Sequence, residues 1–266
     1  MKRLSSTLAC ASRLIPWRAL LWSTLIVAAV SITPVHLNAQ DRGWSLTGSV
    51  GYALLSLDRV DDDNSSDVKG WNRLGVRVGT FASVKRSPVF SGRVRYRLSR
   101  EFALSLTALY NSKKVTASYA GPDATLSLIR SVGSSDVSLG IAYFPSAQLY
   151  VLEWYLQVDM ALTFARATAE AHGTQTVKID GVPTSIPTVE TSATFKKSKI
   201  SLGVFLGADI PIVPSVFFRF EGGYRFAQLG KLDGDVTRFG EHTTETTSIE
   251  FNYSGFLVCA GIGITL

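Results

Sequence analysis

From Tyr150 to Phe164 the chain alternates. Tyr150, Leu152, Trp154, Leu156, Val158, Met160, Leu162 and Phe164 fall on one parity; Val151, Glu153, Tyr155, Gln157, Asp159, Ala161 and Thr163 fall on the other. Successive strand residues point to opposite faces, so the run has one apolar face and one mostly polar face. On a helix the same spacing would scatter the charges around the whole circumference. The run is long for a soluble strand of about 5–6 residues, and it suits a tilted strand crossing a bilayer, which takes about 9–11. A lone strand cannot sit in lipid with its edge groups unpaired, so the rest of the chain must close a barrel around it.

Seven more segments carry the same pattern. Trp44 to Leu57 places Trp44, Leu46, Val50, Tyr52 and Leu54 on one parity. Pro88 to Leu98 turns Phe90, Val94, Tyr96 and Leu98 outward and Arg93, Arg95 and Arg97 inward. Phe102 to Tyr110 and Asp136 to Phe144 follow, then, after the Tyr150 segment, Lys199 to Ile210 and Val216 to Phe226. A final segment carries Phe256, Val258, Ala260, Ile262, Ile264 and Leu266 on one face. Three connections are short: Ser99-Arg100-Glu101, Pro145 to Gln148 and Pro211 to Ser215. The others, about 58–87, 111–135, 166–198 and 227–248, are long and rich in Ser, Thr, Gly, Asp and Asn. Strict alternation of short and long connections is the habit of barrels with short periplasmic turns and long external loops. It places both termini on one side and predicts eight strands, with the long connections as polar loops or as hairpins rising above the membrane. Gly75 to Ala82 is a candidate further strand, which would give ten.

The N-terminus reads as a targeting segment. Met1-Lys2-Arg3 and a basic stretch through Arg13 and Arg18 precede an apolar run from Ala19 to Ile32, and a small residue, Ala39, offers a cleavage point. The predicted organisation is a signal peptide at 1–39 and one barrel domain at 40–266, with a retained N-terminal anchor as the alternative. The 1–39 segment holds four of the 27 basic residues and none of the 21 acidic ones, so removing it lowers the net charge from +6 to +2 (23 basic against 21 acidic). The basic balance therefore belongs largely to targeting, and no basic cluster interleaved with aromatics points to nucleic acid. Cys259 is the one cysteine after residue 39, which excludes an intrachain disulfide in the mature chain and a cysteine metal site. No later stretch approaches eighteen consecutive apolar residues.

A signal peptide, eight alternating segments and a last strand running to the final residue resemble the small outer-membrane β-barrel proteins of the opacity and OmpA-barrel type. The resemblance is architectural and covers roughly residues 41–266. It implies an all-β fold, an eight-stranded antiparallel transmembrane β-barrel of up-and-down order, in the outer membrane of a Gram-negative bacterium. It also implies a monomer whose partners are outer-membrane lipid, the barrel-assembly machinery and, through the loops, an extracellular ligand. Such barrels often end in an aromatic residue read by that machinery; this chain departs from the pattern and ends in Thr265-Leu266. Members of this kind serve as adhesins, immune-evasion proteins, small porins or structural proteins.

On these parities Arg93, Arg95, Arg97, Lys199, Arg219 and Arg225 face inward with Glu153, Asp159, Asp209 and Glu221. A basic residue facing lipid at the midplane costs about 2–4 kcal/mol, which favours the inward placement. In a barrel just wide enough for side chains to fill it, these charges form either an internal ion-pair network or the lining of a narrow channel. Six basic against four acidic groups would give such a channel a weak anion preference. Glu153 and Asp159 are expected partners for the inward arginines, and Cys259 a small inward filler.

Some barrels of this size modify lipid A with a histidine near the rim. Here His172 and His242 lie in long connections, as Ala171-His172-Gly173 and Glu241-His242-Thr243, with no nucleophile fixed beside them. Asp61-Asp62-Asp63-Asn64 offers oxygen ligands for calcium but lacks the spacing of a calcium loop, and reads as solvated loop charge. No catalytic, cofactor-binding or metal residue is assigned. The expected role is that of a non-enzymatic surface or structural protein, with a small porin as the alternative.

Overall fold

The computed structural model describes residues 43–73, 76–145, 152–179 and 182–266. The predicted signal peptide, the first residues of the Tyr150 segment and the turn before it lie outside the described residues. Eight strands form the ring: β1 (Gly43–Leu55), β2 (Arg86–Arg97), β3 (Phe102–Ala120), β4 (Ala124–Tyr143), β5 (Glu153–Ile179), β6 (Val182–Val213), β7 (Val216–Phe226) and, last in the chain, β12 (Gly255–Thr265). Each pairs antiparallel with its neighbour, and β12 closes the ring by pairing with both β7 and β1. Ala260, for example, faces Val50 on one side and Phe220 on the other. Closure removes the sheet edge that lipid would not tolerate.

The registers confirm the parity reading. Leu106, Leu139, Met160 and Leu202 form one row across β3 to β6, and all four are exposed on the outer face. Thr107, Ser138, Ala161 and Ser201, one step along, form an inward row and are buried. Phe102 and Tyr143 mark the short-turn end of the apolar belt, and Tyr110 and Phe164 the other end. Phe102 to Tyr110 spans about 27 Å of strand, or about 20 Å along the barrel axis at the usual tilt, close to the height of a lipid-facing band.

The barrel is lopsided. β1, β2, β7 and β12 have 11–13 residues, whereas β3 to β6 have 19–32. Two of the long connections, 111–135 and 166–198, are thus hairpins that continue the wall well past the lipid belt. The third, between β7 and β12, holds β8 (Gln228–Gly230), β9 (Asp233–Arg238), β10 (Glu241–Thr246) and β11 (Phe251–Asn252). β9 pairs with the far part of β6 and β10 with β9, so the tall side is a six-stranded arm of β3 to β6, β9 and β10 above an eight-stranded ring.

The first long connection differs from expectation. It contains a helix, α1 (Asp58–Arg73), and residues 76–83 carry no strand, so the ten-strand ring is ruled out. Val60, Asn64 and Val68 recur every fourth residue and form the buried stripe of α1. Asp58 and Asp61 in the first turn and Arg73 in the last suit the helix dipole. The aspartate run is therefore not free loop charge. The Asp61 carboxylate accepts bonds from the Ser83 hydroxyl (2.5 Å) and the Val84 N–H (2.9 Å), and Asp67 pairs with Arg130 of β4 at 2.5 Å. Among the described residues no cluster of acids, histidines or cysteines is placed to hold a metal ion.

Candidate functional site

The barrel interior is packed in layers. At the short-turn end Arg97 pairs with Glu153 (2.5 Å), donates to the Arg100 carbonyl (2.7 Å) and lies 4.1 Å from the centre of the Phe144 ring. Phe144 and Tyr155 pack at 5.6 Å, and Arg95 stacks 4.1 Å over the Tyr155 ring. The Arg95 guanidinium donates to Asp209 and to Gln157, each at 3.1 Å. Asp209 is shared: Arg219 grips it with two bonds of 2.6 and 2.7 Å.

In the middle layer Arg93 and Glu221 form a two-pronged ion pair, with one prong at 2.9 Å. The Tyr155 hydroxyl donates to the same carboxylate at 2.7 Å, and Arg93 Nε donates to Thr107 Oγ1 at 2.9 Å. Above it Arg225 pairs with Asp136 and donates to the Tyr253 carbonyl at 3.1 Å. Arg93, Arg95, Arg219 and Arg225 are each 6% exposed or less. The void left among Arg93, Asp136, Asp159, Glu221, Arg225 and Cys259 is about 30 Å³, room for about one water molecule.

Apolar packing completes the seal. Leu57, Val60, Val84, Val89, Leu229, Leu232, Phe251, Tyr253 and Leu257 form one buried cluster with Val115, Val132, Ala165 and Phe205 of the tall wall. Val78 meets Ala117, Leu126 and Leu128 in a second cluster, against which Trp71 and Val76 pack. α1 and the segment after it are thus a lid across the long-hairpin mouth. Glycines make the room: a Cβ on Gly207 would collide with the Tyr155 ring, and one on Gly140 with the Asp159 carboxylate.

Two of the ten expected interior charges differ from expectation. Asp159 is buried but makes no ion pair among the described residues; it accepts a bond from Gln157 Nε2 at 2.7 Å. Lys199 is exposed, because at its height β6 has already lost β7 as a neighbour and the interior opens there. Asp136, by contrast, belongs to the interior and was missed, although Val137 on the outward parity already implied its placement. Tyr155, the aromatic centre of the network, sat unnoticed on the polar parity. With Asp136 in and Lys199 out, five arginines meet five carboxylates, and the argument for an anion-preferring lumen disappears.

Outside the lumen, Ser127, His172 and Glu190 are register neighbours on β4, β5 and β6, yet no hydrogen bond joins them. His242 Nδ1 bonds the Thr237 hydroxyl at 2.8 Å. On α1, burial and then the neighbouring Asp67 push the Asp63 carboxyl above the usual aspartate range, with Arg130 opposing them.

The sequence matches the family described as outer membrane protein beta-barrel domain over residues 23–256. The chain belongs to that family. It is thus a β-barrel protein of the bacterial outer membrane. No curated protein sequence matches it. Similar solved structures include a major outer membrane protein of Thermus thermophilus, at 10% identity and a TM-score of 0.48, covering 84% of this chain and 99% of that one. OprG of Pseudomonas aeruginosa, at 9% and 0.45, covers 84% and 96%. Neisserial surface protein A, at 14% and 0.34, covers 84% and 96%.

Proposed function

We propose that the protein is a non-conducting, non-enzymatic outer-membrane anchor that holds a rigid β-sheet arm outside the cell for contact with an extracellular ligand. The sealed lumen carries this reading. A channel needs a continuous water column, and here five ion pairs or hydrogen-bonded carboxylates and stacked aromatics leave a void of about 30 Å³ in the middle of the lumen, while a separate pocket of about 470 Å³ lies at the start of α1, among Asp58, Arg59, Lys199 and Glu250. By the usual orientation of bacterial barrels the long-hairpin end faces outward.

A second observation favours contact through the arm. At the β9–β10 turn Phe239 has φ of 49° and is 61% exposed, next to Gly240 at 86°. A bulky residue in the left-handed region is strained, and such strain collects at binding sites. The neighbouring edge strand β10 carries Glu241 and Glu245, which discourage indiscriminate strand addition.

Planar-bilayer recording of the refolded full-length mature chain tests the proposal. The expected result is no stable unitary conductance. Unitary steps that change size in Arg93, Arg95 or Arg97 variants would overturn it in favour of the small-porin reading.

A further inference from the structure

The barrel wall lacks a strand at one place. β6 pairs with β7 as far as Leu202 and with β9 from Lys196, which leaves residues 197–201 without a strand partner on that side. β7 ends at Phe226, and the chain turns into β8, which pairs with β11 instead. At this gap lies the pocket of about 470 Å³, bounded by Lys199 of β6, the start of α1 and the β8–β11 pair. Its size is within the range of small-molecule sites, about 300–1,000 Å³.

Short-range bonds fix its walls. The Ser56 N–H donates to the Ser254 carbonyl at 2.8 Å, the Ala227 N–H to Ser254 Oγ at 2.8 Å, and the Ser254 N–H to Asn252 Oδ1 at 3.0 Å. Arg59, in the first turn of α1, pairs with Glu250 at 2.5 Å and so ties the helix to the segment before β11. Asp58 pairs with Lys85.

These pairs cancel every charge of the lining except one. Lys199 has neither an ion pair nor a hydrogen bond among the described residues, and the Gln228 side chain has no partner either. Asn252 spends its carbonyl on Ser254 and keeps its two amide donors, and the Ser56 hydroxyl is unspent. One positive charge among neutral donors and acceptors describes a ligand with one negative charge on a body of hydroxyls. A single ammonium, a compact charge with three donors, matches one carboxylate and would leave the second charge of a phosphate monoester uncompensated.

We propose that this pocket binds a small sugar acid of the hexuronate kind. Lys199 takes the carboxylate, and Gln228, Asn252 and Ser56 take the ring hydroxyls. The buried Phe251 forms the floor beneath the C–H face of the ring. The site is separate from the β9–β10 turn, and its occupation needs no opening of the lumen.

Titration calorimetry of the full-length mature chain, refolded in detergent micelles, with D-galacturonate tests this. One saturable site per barrel is expected. Galactose, which lacks the charge, and acetate, which lacks the hydroxyls, should each bind at least about tenfold more weakly. Lys199→Gln should lower the galacturonate affinity about tenfold, to the level of galactose. Gln228→Ala should lower it while the preference over galactose persists. Lys114→Ala, which removes an outward cation of β3, should leave it unchanged. Heat-modifiable migration on gels certifies that each variant is folded. The absence of saturable binding by the folded barrel would overturn the proposal, as would an unchanged affinity in Lys199→Gln or an equal loss in Lys114→Ala. Acetate or inorganic phosphate binding as tightly as galacturonate would overturn it too, because the pocket would then read charge and not the sugar.

Discussion

The Arg93–Glu221 pair offers the sharpest measure of how closed the lumen is. Arg93 is 6% and Glu221 9% exposed, and the adjoining void holds about one water molecule, so neither charge can turn to bulk solvent when its partner is lost. Removing one member of such a pair costs about 3–5 kcal/mol, because a desolvated charge remains without compensation. Glu221→Leu and Arg93→Met should each destabilise by that amount. The double variant removes both charges and leaves only the Tyr155 hydroxyl and Thr107 Oγ1 short of a partner, at about 1 kcal/mol apiece. It should therefore lie within about 2 kcal/mol of the parent, with a coupling of at least about 4 kcal/mol between the sites. Urea unfolding of the refolded barrel in phosphatidylcholine vesicles, followed by tryptophan emission, gives all four free energies. A Glu221→Leu barrel within about 1 kcal/mol of the parent would mean a hydrated lumen, and the sealed-barrel argument would fall with it.

Two further outcomes follow from the lid and the topology. Burial and Asp67 raise the Asp63 carboxyl, so the folded lid prefers the protonated acid; that contribution is present at low pH and is lost as pH rises through the raised value. Hydrogen exchange within α1 should be slower in Asp63→Asn than in the parent at neutral pH, and the two should converge on acidification; equal protection at neutral pH would refute the linkage. Protease added to intact cells should cut at the hairpin turns around 121–123 and 239–240 while sparing Arg100 and, because it is packed, α1. A cut at Arg100 would invert the topology.

How much of this the sequence disclosed depends on whether lipid was present to write the pattern. Within the belt, apolar and polar faces must alternate, and β7 emerges at Val216–Phe226 as its periodicity predicts. Above the belt both faces of β3 to β6 meet water or the lid, so the demand for an apolar outer face vanishes and the strands fade into Ser- and Thr-rich sequence. α1 was hidden for a related reason. Its stripe of Val60, Asn64 and Val68 is narrow, and the surfaces that stabilise the helix are far away in the chain or in a different element: Val60 joins the cluster of Val84, Val115 and Val132, and Trp71 packs on that of Val78, Ala117 and Leu126. Periodicity reports a residue's own face and nothing about what covers it.

The interior shows the same boundary more consequentially. Parity alone turned nine of the ten named charges toward a lumen they enter, yet it carries no height. Arg93 meets Glu221 across 128 positions of sequence, a pairing set by strand tilt and stagger that no local pattern encodes. Lys199 has the inward parity of Ser201 and still escapes, because β7 has ended three residues lower. Exchanging that lysine for Asp136 moves the interior from an excess of two positive charges to balance. A balanced, desolvated network binds itself rather than passing ions, so the difference between a selective pore and a solid anchor rested on where one strand stops.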